Sequence, residues 1–177
     1  MPRLNTIEPA SASGRAKEIF DGPLAGKHLN IFKGMANSPA VLDTYLGIAG
    51  ALANASLSSK EQEAIQLVVA EANNCDYCLG AHTMIGKGAG LTEEQTIQAR
   101  KGAITDDAKL EALTRFASAV HEKKGFVSDE DIANFKSAGY DDGAVAEVAA
   151  VYAQAVFTNF FNHINETDLD LPAAPSI

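Results

Sequence analysis

The side chains best able to do chemistry in this sequence stand together in Glu71-Ala-Asn-Asn-Cys75-Asp-Tyr77-Cys78-Leu-Gly-Ala-His82. Spacings of three and four residues put Cys75, Cys78 and His82 along one face of a helix. Cys75 falls at the helix N-terminus, where the backbone dipole and free N–H groups favour a thiolate. His82, one turn beyond Cys78, is placed to take its proton or to steady its thiolate as imidazolium. Two thiols in a C-x-x-C turn close a disulfide with little backbone movement, so the set supports a two-electron dithiol–disulfide cycle.

Other chemistries make other demands. A zinc site needs a fourth ligand, for which Glu63 and His163 are the candidates. Thioether attachment of haem needs a histidine directly after Cys78, and Leu79 stands there. Buried, inert thiols are the plain structural alternative. No metal or cofactor is expected. Two glutamates compete for a place beside the thiols: Glu63, whose alternative is to decorate a first helical turn, and Glu71, four residues before Cys75. Tyr77 is either a packed aromatic or a hydroxyl facing the site. Asn159 and His163 could line a pocket from the last helix, or else cap it or pack an interface. His28 and His121 read as surface residues.

The elements that must position this set are helical throughout. Alanine-rich composition favours helix, and no convincing alternating strand occurs. Gly14 to Phe20 reads as a short amphipathic turn and Ala25 to Met35 as a helix. Ser38-Pro39 starts the next helix with proline at its first position. Ser58 with Glu61, and Thr92 with Gln95, are capping-box signatures. The first opens a helix that places Ile65, Val68, Val69 and Ala72 on one side and breaks at Asn73-Asn74. The motif helix then runs from Cys75 to about Lys87. Further helices are expected over Thr105 to Glu122, from Ser128 to Gly139, and from Asp141 or Asp142 to about His163. The last is apolar almost all round, the mark of a helix buried in a core or a subunit interface. Glu147 and Asn159-x-x-Asn162 repeat the spacing of Glu63 and Cys75-x-x-Cys78, but almost no flanking identity supports a duplication. The tail, Leu171 to Ile177, reads as loose.

At 177 residues and 46% hydrophobic, the chain fits one domain with a real core over 1–177. A formal net charge of −9 argues against nucleic acid and anionic membrane surfaces as partners. Met1 to Gly14 is polar and unlike a secretory signal. The most apolar stretch, Ala144 to Phe161, is interrupted by Glu147, Gln154, Thr158 and Asn159, which argues against a membrane span. Two cysteines confined to one short motif suit working thiols in the cytoplasm.

Glu63, eleven residues, then Cys75-x-Tyr77-Cys78-x-x-x-His82 resembles the core motif of alkylhydroperoxidase AhpD-like proteins in the carboxymuconolactone decarboxylase superfamily. The likeness is strongest over 58–102. The closing Phe157-Thr-Asn159-Phe-Phe-Asn162-His163-Ile-Asn165 and Asp170-Leu-Pro172 are similar to the peroxidase-related branch. The resemblance implies an all-α AhpD-like fold, a homo-oligomer (trimer or hexamer) and a thiol-dependent peroxidase or disulfide oxidoreductase. It implies that Cys78 attacks a hydroperoxide and that Cys75 resolves the sulfenic acid as a disulfide. Glu63, a water and His82 would relay the proton. Cys75, expected to be the more exposed thiol, would meet a dithiol or protein disulfide reductant. In the best-known branch a histidine occupies the position of Tyr77. The competing function is a redox sensor or partner-binding protein whose disulfide alters assembly.

Overall fold

The computed structural model describes residues 1–177 and contains nine α-helices and no strand. In chain order they are α1 (Gly14–Asp21), α2 (Asn30–Met35), α3 (Pro39–Leu52), α4 (Ser59–Ala72) and α5 (Asp76–Gly88), followed by α6 (Glu93–Arg100), α7 (Ala108–Glu122), α8 (Asp129–Ser137) and α9 (Asp142–Asn165).

The centre of the fold is α4, which packs against α5, α6, α7 and α9. Ala64 through Ala70 are buried without interruption. Burying side chains such as Ile65, Leu67 and Val69 is worth roughly 1.5–3 kcal/mol each, so apolar packing fixes where this helix points its polar side chains. Its start is set locally. Ser58 Oγ accepts from the Glu61 N–H at 3.3 Å and Glu61 Oε2 accepts from the Ser58 N–H at 2.8 Å. Thr92 and Gln95 build the same box ahead of α6.

The turn from α4 into α5 is three residues long. Asn74 adopts φ +54°, a left-handed conformation that asparagine tolerates better than most residues. The Cys75 N–H donates back to Ala70 O at 2.9 Å, and Cys75 becomes the N-cap of α5. This short hairpin sets the two helices side by side, Glu63 on one and His82 on the other.

Three sequence expectations change. Residues 25–29 are not helical, because Gly26 takes φ +73° and α2 starts only at Asn30. The N-cap position holds Leu29, which cannot cap; the Asn30 N–H instead donates to Asp170 Oδ2 at 2.8 Å, a partner 140 residues away. Residues 105–107 precede α7 rather than open it, since Asp107 is its cap. The C-terminal tail is not loose. It lies along α5 with Leu171 and Ala174 packed on the core, and Arg100 donates to Pro175 O.

In α9 the expected apolar character is split between two faces. By length and composition this helix could cross a membrane. Its buried side, however, carries Gln154, Thr158, Asn159, Asn162 and Asn165 into the centre of the protein. The opposite side leaves Ala146, Ala150, Ala153, Phe160 and Ile164 exposed. Because α9 is unbroken, Glu147 and Asn159 share one helix, whereas Glu63 and Cys75 flank a turn. The two spacings therefore do not superpose, and the duplication idea ends there. Glu147 instead accepts hydrogen bonds from the Ser56 and Leu57 N–H groups.

Candidate active site

Cys75 and Cys78 are joined as a disulfide, with their Cα atoms 5.3 Å apart. Cys78 is the third residue of α5, and its backbone N–H donates to Cys75 Sγ at 3.3 Å. A sulfur that accepts a helix N-terminal amide is stabilised as an anion, which makes Cys75 a good leaving group when the disulfide is opened. Contrary to expectation, Cys75 is no more exposed than its partner: the two are 1% and 2% accessible. Only Cys78 lines the adjoining cavity.

That cavity encloses about 500 Å³. Leu29, Ile31, Phe32, Tyr45, Met84 and Ile85 supply apolar and aromatic walls, while Gln66, Gln154, Thr158, Asn162 and His82 give it a polar side near Cys78. An apolar pocket with a few convergent polar groups is the usual form of a small-molecule site.

His82 Nδ1–H donates to Glu63 Oε2 at 2.8 Å, with both side chains only about 15% exposed (15% and 14%). The carboxylate fixes the tautomer that leaves His82 Nε2 free to act as a base. The contact between the two side chains is direct. Glu71 is elsewhere: its carboxylate accepts from Arg100 Nε at 2.7 Å, next to the point where that arginine also holds the tail. Tyr45 brings a phenol to the cavity wall; burial, and then the charge of Glu63, push its pKa up.

Tyr77 is a packed aromatic whose hydroxyl is taken up by the tail and the start of α2. It is buried on the cavity wall, and its hydroxyl donates to Asp170 Oδ1 at 2.7 Å while accepting from the Ile31 N–H at 3.4 Å. Burial first, and then the hydrogen bond to Asp170, raise its pKa well above the ordinary phenol range. Asp170 thereby ties the tail to both α5 and the start of α2. Leu171 and Pro172 follow, and Pro172 O passes where a Cβ on Gly80 would sit, 2.6 Å away. Only glycine at position 80 allows that crossing.

Neither Asn159 nor His163 lines the cavity. Asn159 is fully buried and accepts from Asn73 Nδ2 at 2.9 Å, tying α9 to the α4–α5 turn. His163 is exposed and stacks on Phe160, which takes it away from any fourth-ligand role. Of the other histidines, His28 is exposed and His121 half-buried against the Tyr152 hydroxyl at 3.1 Å. The residue of α9 that reaches the sulfurs is Asn162, whose Nδ2 donates to Cys78 Sγ at 3.3 Å and lies 4.0 Å from Cys75 Sγ. Sequence reasoning missed Asn162, Gln66 and Gln154. A signal was present: Gln154, Thr158 and Asn162 recur every four residues on a mostly apolar helix, and Gln66 lies one turn after Glu63.

The model of the Carboxymuconolactone decarboxylase family matches residues 39–122, from the start of α3 to the end of α7. Solved structures share the fold over nearly the whole chain. A peroxidase-related protein from Ralstonia eutropha JMP134, described as having an alkylhydroperoxidase AhpD core, superposes with a TM-score of 0.85 at 21% identity, covering 96% of this chain and 92% of that one. Another peroxidase-related protein, from Silicibacter sp. TM1040, gives 0.80 at 21% identity, over 94% and 89% of the two chains. A cysteine variant of the debrominase Bmp8, in complex with 2,3,4-tribromopyrrole, gives 0.79 at 18% identity, over 95% and 91%. No curated protein sequence matches. Just under half of the chain thus matches the Carboxymuconolactone decarboxylase family, and nearly all of it shares the fold of the AhpD-core structure.

Proposed function

We propose that the protein is a thiol-dependent peroxidase that reduces organic hydroperoxides through a Cys75–Cys78 dithiol–disulfide cycle. The observation that carries this reading is the placement of Cys78 on the cavity wall with His82, itself held by Glu63 at 2.8 Å. In the reduced protein His82 takes the Cys78 proton. The thiolate attacks the terminal oxygen of the hydroperoxide, the O–O bond breaks, and Cys78 becomes a sulfenic acid. The departing alkoxide receives the proton from His82 and leaves as the alcohol. Cys75 then attacks Cys78 Sγ; the disulfide forms, and the sulfenic oxygen leaves with the Cys75 proton as water. A dithiol reductant restores both thiols and is itself oxidised to a disulfide. Since Cys78 alone faces the cavity, the reductant attacks Cys78 and expels Cys75 toward the amide at the start of α5. Both half-reactions then use one opening, in the reducing environment of the cytoplasm.

The exposed stripe on α9 supports assembly into a homo-oligomer, a trimer or hexamer, through the side of the helix that faces away from the site; light scattering showing a monomer at micromolar concentration would refute this. A second reading has its own observation: Asn162 links the sulfurs to the helix that carries this stripe, which suits a redox sensor whose disulfide changes assembly. It requires a different particle size after oxidation. The peroxidase itself is tested by titrating reduced protein with an organic hydroperoxide while following free thiols and intact mass. Both thiols should vanish together with the loss of two hydrogen atoms and return on adding a dithiol. Thiols that resist oxidation would end the proposal.

A further inference from the structure

Gln66 and Asn162 reach the cavity from α4 and α9, and each is only 4% exposed. Each amide is half used. Gln66 Nε2 donates to Gln154 Oε1 at 3.1 Å, and Asn162 Nδ2 donates to Cys78 Sγ at 3.3 Å. The other halves, Gln66 Oε1 and Asn162 Oδ1, are buried and accept no hydrogen bond within the protein. Buried amide carbonyls are normally paired, so an unpaired one asks for a reason. Here the two orphan oxygens belong to side chains that line one cavity, beside the sulfur that faces it, and a small turn of either amide brings its oxygen to the cavity surface.

We infer that Gln66 and Asn162 form a subsite that reads a hydrogen-bond donor on an uncharged ligand, an O–H or N–H group, while the ligand's apolar body fills the space against Leu29, Ile31, Phe32 and Met84. Carbonyl oxygens attract a donor and repel a carboxylate, so the subsite selects against anionic ligands. The lysine that lines the cavity, Lys27, is exposed and cannot offset that repulsion at the buried end. Under the peroxidase reading, on which only the identity of the reacting group rests, the donor is the hydroperoxide O–H. Its capture by a carbonyl brings the terminal oxygen next to Cys78. Asn162 then serves both partners, with its N–H on the sulfur and its C=O on the substrate.

The test uses the full chain in its disulfide form, where no turnover occurs. Cumyl alcohol and its methyl ether have nearly the same shape, and only the alcohol donates. Their affinities are measured by NMR titration. One net hydrogen bond between neutral groups is worth about 1 kcal/mol, so the alcohol should bind about fivefold more tightly than the ether. Gln66→Met, close in volume, should reduce the difference to less than about twofold by the same reckoning, and Asn162→Ala serves should the first variant fail to fold. Equal affinities in the parent protein, or an undiminished difference in the folded variants, would overturn the inference. A clear donor preference without hydroperoxide turnover would uphold the subsite and remove the peroxidase; turnover without the preference would do the reverse.

Discussion

Replacing Asn162 by alanine should leave the fold largely intact and make Cys78 a poorer nucleophile at neutral pH. The amide donates to Cys78 Sγ at 3.3 Å from a position that is 4% exposed. In the reduced protein that sulfur is an anion when it reacts, and a hydrogen bond to a charged group contributes about 1.5–3 kcal/mol. Losing it raises the energy of the thiolate and leaves the thiol nearly untouched, so the thiol titrates at higher pH. Below that titration the thiolate fraction falls about ten- to a hundredfold. The less stabilised thiolate is also the more nucleophilic, which returns about half of the loss on a logarithmic scale. The net expectation is oxidation about three- to tenfold slower at neutral pH but faster than the parent at alkaline pH, so the two pH–rate profiles cross. Stopped-flow measurement of hydroperoxide consumption by fully reduced protein, from acid to alkaline pH, reads this directly. A variant slowed by the same factor at every pH would refute the argument, because a purely structural loss does not move the profile along the pH axis.

Other expectations follow from the same contacts. Asp170→Ala removes the acceptor that, after burial, raises the Tyr77 pKa, so ultraviolet titration should show this phenol ionising at lower pH than in the parent; an unmoved titration would contradict the tie between tail and site. Gly80→Ala places a Cβ 2.6 Å from Pro172 O, and limited proteolysis should then cut residues 169–177 that the parent protects. Burial pushes the Glu61 carboxyl up, but hydrogen bonds from Ser58, Tyr140 and Lys109 outweigh it and hold the pKa below the ordinary range. A depressed carboxylate stabilises the fold above the unfolded pKa of about 4.3, and that contribution is lost as pH falls through the folded value. Glu61→Gln should therefore cost about 1–2 kcal/mol in urea unfolding at neutral pH and show a flatter decline in acid; an equal acid decline in both proteins would count against it.

The sequence carried the parts of this site that are local. Cap signals at Ser58 and Thr92, the break at Asn73-Asn74 and the spacing from Cys75 to His82 depend on residues a few positions apart, and the structure keeps all of them. What it hid depends on distant partners. Residues 25–29 look helical by composition, yet α2 begins at Asn30 because Asp170 supplies its cap. The tail looks loose by its prolines and alanines, yet Gly80 lets it lie on α5 and Arg100 holds its end. Choosing among the asparagines of α9 needs the rotation of that helix about its axis. Asn159 and Asn162 differ by three residues, and only packing against α4 and α5 decides that Asn162 meets the sulfurs while Asn159 meets Asn73. What separates Glu63 from Glu71 is also distant: Arg100, 29 residues beyond Glu71, claims the Glu71 carboxylate.

The assignment of Cys78 as the attacking sulfur is tested most directly by the products of one equivalent of cumene hydroperoxide on the reduced single-cysteine variants. Cys75→Ser has no resolving thiol, so its intact mass should rise by one oxygen atom, trapped on Cys78 by a sulfenic-acid reagent, with one equivalent of cumyl alcohol released. Cys78→Ser should keep its mass and leave the hydroperoxide unconsumed. The reverse pattern, with oxygen added to Cys75 when Cys78 is replaced, would place the attacking sulfur at the start of α5 and contradict the reading of the cavity.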